Sequence, residues 1–163
     1  ASTLRTAIVK GRLQPGDAVA VSGPYGRFGA RRHLVQAPML WVAGGIGITP
    51  FLSLLQQEKN HPPALRRPVT LVWSVRKRQE ALYAAEIEQA VEALPHVTFY
   101  LHASDEEGYL TGQRLAELSG QASLQGLTMF LCGPPAMMKT LRAQCNALGL
   151  RSGSVVTEEF AIR

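Results

Sequence analysis

Hydrophobic and polar positions follow two rhythms along this chain. Short runs in which nearly every residue is apolar (Met39–Ala43, Val69–Val75, Val97–His102, Leu127–Leu131) are separated by longer stretches with helical spacing. A brief continuous apolar run bounded by turn signals predicts a strand buried on both faces. Between the runs, Thr49–Asn60 carries Phe51, Leu52, Leu54 and Leu55 on one side, and Gln79–Leu94 carries Ile87, Ala90, Val91 and Leu94 at i, i+3, i+4, i+7. Ala136–Leu148 carries Met138, Leu141, Cys145 and Leu148 inward, with Gly149 as its stop. Leu110–Leu118 reads as a short helix, Asp105–Gly108 as a polar turn, His61–Pro68 as a Pro-rich loop and Ser154–Phe160 as a last strand. The alternation predicts an α/β three-layer sandwich around a parallel sheet.

Residues 1–38 break that rhythm. Leu13–Asp17 is a turn signal, Ala18–Val21 a short apolar strand, and Ser22–Gly29 is dense in Gly and Pro. This stretch reads as the tail of a β-rich unit plus a linker, leaving 39–163 as one domain. Val19, Val21 and Phe28 are expected to form an exposed apolar patch where the rest of that unit would dock.

Composition narrows the class. With 163 residues, 46% of them hydrophobic, the chain can bury one substantial core. Its net charge of +5 is uneven, since Arg5, Lys10, Arg12, Arg27, Arg31 and Arg32 face only Asp17 in the first 38 residues. Basic side chains interleaved with aromatics, the mark of a nucleic-acid surface, are missing, so no nucleic-acid partner is expected. Cys132 and Cys145 are too few for a disulfide scaffold and fit a reducing compartment, hence a cytoplasmic setting. His33, His61, His96 and His102 have no metal-ligand spacing, so no metal is expected. No signal peptide is evident, and no run approaches the roughly 20 apolar residues of a membrane span. The chain opens on Ala1, which fits an excised fragment.

The candidate chemistry sits where apolar runs end. Leu40–Ala43 runs into Gly44-Gly45-Ile46-Gly47-Ile48-Thr49-Pro50. Glycines permit close approach of a ligand's phosphates to backbone N–H groups, Pro50 suits a first helical turn, and the Thr49 hydroxyl can donate a hydrogen bond. The third glycine of the usual dinucleotide fingerprint is replaced by Pro50, so the turn alone is a weak signal. After the second run comes Ser74-Val75-Arg76-Lys77-Arg78, with no acid before Glu80. A hydroxyl and several cations suit a ribose 2′-phosphate, which favours NADPH, with NADH allowed. Cys132-Gly133-Pro134-Pro135 repeats the strand, small-residue, helix pattern. No base is placed beside Cys132, and free Cys is usually a small buried hydrophobe.

Together, Gly44–Pro50, Cys132-Gly133-Pro134 and Glu158-Glu159-Phe160 resemble the NAD(P)-binding half of the ferredoxin–NADP reductase superfamily. Within it the chain is most similar to the ferric reductase and NADPH oxidase branch, and Val21–Phe28 resembles the end of that family's FAD-binding barrel. The resemblance implies a five-stranded parallel sheet of order 3-2-1-4-5 and hydride transfer from NADPH or NADH to FAD. It implies that Gly45, Gly47 and Thr49 hold the pyrophosphate and nicotinamide end, and that Ser74 and Arg76 meet the 2′-phosphate. Cys132 would then lie beside the nicotinamide, Gly133 and Pro134 would shape the wall, and Met137 and Met138 would lie near the adenosine. Phe160 would cover the flavin ring, with Glu158 close by. The FAD site of the family lies mainly on a barrel whose Arg-x-Tyr/Phe-Ser/Thr motif is not found here. The implied partners are therefore a FAD-binding barrel and a downstream acceptor such as heme or ferric iron, in a parent protein that can be membrane-associated. A nucleotide-binding module that regulates or relays electrons without catalysis is the alternative.

Overall fold

A computed structural model of the protein describes residues 9–12, 14, 16–18, 28–32 and 35–158. Strands β1 (Met39–Gly44), β2 (Val69–Val75), β3 (Val97–Ala103), β4 (Thr128–Cys132) and β5 (Val155–Glu158) form one sheet in the order β3-β2-β1-β4-β5. All neighbours run parallel. The central strand β1 is buried at every residue, as its unbroken apolar run requires. Alternate side chains feed two separate cores: Met39, Trp41 and Ala43 on one face, Leu40 and Val42 on the other.

Helices α1 (Phe28–Arg32), α2 (Thr49–Asn60) and α3 (Ala84–Glu92) supply Phe28, Phe51, Leu54, Leu55 and Ile87 to the first core. A helical turn, α4 (Ser104–Glu107), precedes α5 (Gly112–Leu118) and α6 (Pro135–Ala147). From α5 and α6, Leu115, Ala116, Met138, Leu141 and Cys145 fill the second core. Gly149, at φ +94°, ends α6: its N–H bonds the Asn146 carbonyl and the Leu150 N–H bonds that of Cys145. This left-handed cap is what the glycine stop predicted.

Three elements differ from the sequence reading. The helix expected from Gln79 starts only at Ala84, because Arg78–Glu80 forms a 3₁₀ turn in which the Glu80 carboxylate accepts from the Lys77 N–H at 3.4 Å. The polar turn at Asp105–Gly108 is the turn α4, closed by Gly108 at φ +77°. Phe28 is not on an exposed patch: it is 5% exposed and meets Phe51 and Phe130 edge-on, with ring centroids 5.3 and 5.2 Å away. Burying such a ring is worth about 2 kcal/mol, which fastens α1 to the sheet. The turn signal near residue 15 is present, with Asp17 N–H donating to the Gln14 carbonyl at 3.1 Å and Gly16 at φ +97°. Val19, Val21, Glu159 and Phe160 lie outside the described residues.

Beneath that core lies an unexpected buried charge. Glu58 on α2 is 1% exposed; its carboxylate takes the Arg32 Nε at 2.5 Å and lies 2.9 Å from His96 Nε2. Burial alone would raise the Glu58 pKa; hydrogen bonds from Arg32 and His96, together with their charges, outweigh it and hold the carboxyl below its usual value.

Candidate functional site

The sheet reverses its winding at β1, whose neighbours β2 and β4 lie on opposite sides. Crossovers leaving such a strand in opposite directions open a crevice at the carboxyl ends. Register brings the expected strand ends to that edge: Gly44 is opposite Ser74, Ala43 opposite Cys132, and Cys132 opposite Glu158.

The loops leaving β1 and β4 touch through bare main chain. A Cβ on Gly133 would come 3.0 Å from the Gly44 Cα, and one on Gly47 would come 2.2 Å from the Cys132 carbonyl oxygen. On Gly44 a Cβ would meet Met137 Sδ at 2.5 Å and Pro134 Cδ at 2.8 Å. The glycines of both motifs are thus required by close approach of one loop to the other. Gly45 differs: it is exposed, stands at φ +54° and faces open space. Its carbonyl accepts a hydrogen bond from the Trp73 indole at 2.8 Å. The Thr49 hydroxyl donates to the Ile46 carbonyl at 3.2 Å, and Pro50 occupies the first turn of α2.

Gly44, Gly45, Ser74, Arg76, Pro134 and Met137 line a single cleft of about 810 Å³. Thr49, Pro50, Gly47, Gly133, Cys132 and Glu158 are not among the residues of its wall. Cys132 is fully buried, and its side chain belongs to the core on the other face of the sheet from Leu110 and Leu141, which do line the cleft. Burial first, and then the Glu158 charge, push its thiol up to about 11, so at neutral pH it is a packed thiol and not a nucleophile. Met138 packs in the core while its neighbour Met137 reaches the cleft.

Several wall residues were invisible in sequence. Glu80 enters the wall because the 3₁₀ turn folds it back toward Ser74 and Arg76. Tyr109, 91% exposed, and Thr111 come from the segment after β3, and Gln144 from α6. Thr111 also caps α5 by accepting from the Arg114 N–H at 3.1 Å, and Gln144 accepts from the Gly112 N–H at 2.8 Å. The Thr-Gly pair ahead of a helical run was the one signal that could have drawn attention there. Of the basic triplet, Arg76 lines the cleft, whereas Arg78 pairs with Glu106 at 3.1 Å.

Among the described residues no group of three or more His, Cys, Asp or Glu could hold a metal ion, and no helix is long and apolar enough to cross a membrane. The fold resembles the CS-b5R domains of human Ncb5or in its NAD+ form, with a TM-score of 0.72 and 19% identity over 92% of this chain and 44% of that one. It also resembles the flavohem-like FAD/NAD binding domain of nitric oxide dioxygenase from Vibrio cholerae, with a TM-score of 0.63 and 22% identity over 77% of this chain and 52% of that one. At these identities the likeness is one of fold. In sequence, the chain is 27% identical over 161 residues to a subunit of the Na(+)-translocating NADH-quinone reductase of Neisseria gonorrhoeae, covering 91% of this chain and 38% of the relative. It is 30% identical over 148 residues to flavohemoprotein A of Dictyostelium discoideum, covering 91% of this chain and 36% of that protein. The chain therefore spans well under half the length of these curated relatives, and neither singles out the ferric reductase and NADPH oxidase branch. The model of the oxidoreductase NAD-binding domain family matches residues 41–143, and to that family the chain belongs.

Proposed function

We propose that the cleft holds a reduced pyridine dinucleotide and that the chain is the nucleotide-binding portion of a flavin-dependent oxidoreductase. One observation carries the reading: Gly44, Gly45, Ser74, Arg76 and Pro134, from three strand ends, line one cleft at the carboxyl edge of a parallel sheet. Bare main chain at one end and a charged, hydroxyl-bearing wall at the other suit a ligand with a pyrophosphate in its middle. Gly44 and Gly45 let the pyrophosphate approach, while Gly47 seats the turn against the opposing loop and Thr49 and Pro50 brace it. Ser74 and Arg76 meet the adenosine ribose, and Met137 and the exposed Tyr109 ring flank the base. Gly133, Pro134, Cys132 and Glu158 stand at the nicotinamide end, where Cys132 acts by bulk. When bound, the nicotinamide supplies a hydride to FAD; these residues position it and exclude water. The flavin is carried by a separate barrel domain, beside which Phe160 covers the ring until it is displaced. A downstream acceptor such as heme, ferric iron or a quinone follows, and the names of the relatives support that order.

The charge of the adenosine wall favours NADH over NADPH. Arg78 is engaged by Glu106, and Arg76, the cation of the wall among the described residues, shares it with Glu80. A 2′-hydroxyl can donate to that carboxylate, whereas a 2′-phosphate meets it as a like charge. Calorimetric titration of the chain should find one site, tighter for NADH than for NADPH; no heat with either dinucleotide overturns the reading. Added to a FAD-loaded barrel domain of a relative, the chain should raise NADH oxidation, and alone it should hold no stoichiometric FAD.

A further inference from the structure

We infer that Trp73 is a positioning residue for the phosphate-binding turn: its indole N–H, held on the Gly45 carbonyl, sets the orientation of the Gly45–Ile46 peptide toward the cleft. The inference rests on the dinucleotide reading above. Trp73 is 3% exposed and sits in the core on one face of the sheet; of the cleft's apolar wall, Leu110 and Leu141 belong to the core of the other face and Val75 to that of Trp73. Its Nε1 donates to the Gly45 carbonyl at 2.8 Å. A trans peptide is planar, so a carbonyl drawn toward the indole turns the Ile46 N–H of the same unit to the opposite side. Gly45 itself lines the cleft, so the orientation of this peptide bears on what the cleft offers a ligand. Gly45 opens the 3₁₀ turn Gly45–Ile48 at φ +54°, and no described residue lies within 4 Å of a Cβ built on it, so the indole bond adds to the turn's own main-chain bonds where side-chain packing adds nothing. The contrast with Trp41 is informative: that indole, fully buried on the neighbouring strand β1, has no hydrogen-bond partner for its Nε1 among the described residues. The Trp73 N–H is therefore committed where it could have been left idle, as the other is.

The test compares ligands that do and do not carry the pyrophosphate. NMR titrations with NADH, ADP-ribose and adenosine are run on the unsubstituted chain and on Trp73→Phe, which keeps a ring and removes the donor. Trp73→Phe should weaken NADH and ADP-ribose by roughly three- to tenfold, the worth of one hydrogen bond, and leave adenosine unchanged. In the unsubstituted chain the Trp73 indole N–H should exchange more slowly with solvent once ADP-ribose is bound, a readout that needs no variant to fold. Equal affinity of the two proteins for all three ligands, equal loss for all three, or an indole exchange rate indifferent to ADP-ribose overturns the role of Trp73. Failure of the unsubstituted chain to bind NADH or ADP-ribose overturns the dinucleotide reading instead.

Discussion

Two glycines two residues apart in the same turn should fail in opposite ways when given a methyl group. In Gly47→Ala the new Cβ would lie 2.2 Å from the Cys132 carbonyl oxygen, 2.6 Å from its carbon and 3.0 Å from the Gly133 nitrogen. All three are main-chain atoms of the opposing loop, so no side chain can swing away and the loops must part. Overpacking costs about 1–3 kcal/mol, and a clash wholly with backbone belongs at the upper end, about 3 kcal/mol. At this chain length that lowers the melting midpoint by roughly 6–12 °C. In Gly45→Ala the Cβ meets nothing within 4 Å, and the cost is that of holding alanine at φ +54°, about 1 kcal/mol or a 2–4 °C shift. That methyl, however, stands in the cleft wall at the proposed phosphate site, so NADH affinity should fall by more than tenfold. Scanning calorimetry and NADH titration on both variants resolve the two effects. A Gly47→Ala protein melting within 2 °C of its parent would falsify the clasp between the loops. A Gly45→Ala protein binding NADH normally would remove the turn from the binding site.

Other expectations follow from the same geometry. Arg76→Ala should weaken both dinucleotides, whereas Glu80→Gln should narrow the preference for NADH about tenfold by relieving repulsion of the 2′-phosphate; a preference unmoved by Glu80→Gln removes that carboxylate from recognition. Arg32→Met strands the buried Glu58 charge and should cost about 3–5 kcal/mol by urea denaturation, against under 1 kcal/mol for an ordinary surface arginine. Because the folded Glu58 carboxyl lies below its ordinary 4.5, its contribution is complete above that pH and disappears as pH falls through the folded value. Stability measured from pH 6 downward should therefore decline less steeply in Glu58→Gln. Cys132, its thiol raised to about 11, and Cys145, raised equally by burial, should resist iodoacetamide at pH 8 until the protein is unfolded; fast alkylation of the native chain would contradict their burial.

Apolar runs revealed the architecture because a strand covered on both faces leaves few polar positions to blur the pattern: Val69–Val75, interrupted only by Thr70 and Ser74, begins and ends where its run does. The Thr49–Asn60 helix was equally plain, bounded by a proline at its start and Pro-rich chain after it. Gln79–Leu94 was overextended because charge spacing cannot distinguish a 3₁₀ turn from the first turn of an α-helix; the Glu80 carboxylate bonding back to Lys77 decides between them. That same fold-back moves Glu80 into the cleft and alters the charge on which a preference for NADPH depends. Nothing in the sequence singles out Glu58, since its partners Arg32 and His96 are 26 and 38 residues away. Phe28 looked exposed because it follows a Gly- and Pro-rich stretch, yet two distant aromatic edges enclose it. The glycine motifs were legible as a group; which glycine lines the cleft and which packs on the opposing loop was not, because that depends on atoms of another segment.

Contact between the Gly44 and Gly133 backbones has a practical corollary for anyone wishing to re-engineer cofactor choice. Among the described residues, only the Pro134 and Met137 side chains bound the aperture beside that contact, so most exchanges at the glycines cannot widen it without prying the sheet edge open. Variation has freer play along the opposite bank, at Glu80 and Tyr109, which are exposed. A library aimed at new carriers belongs on that bank.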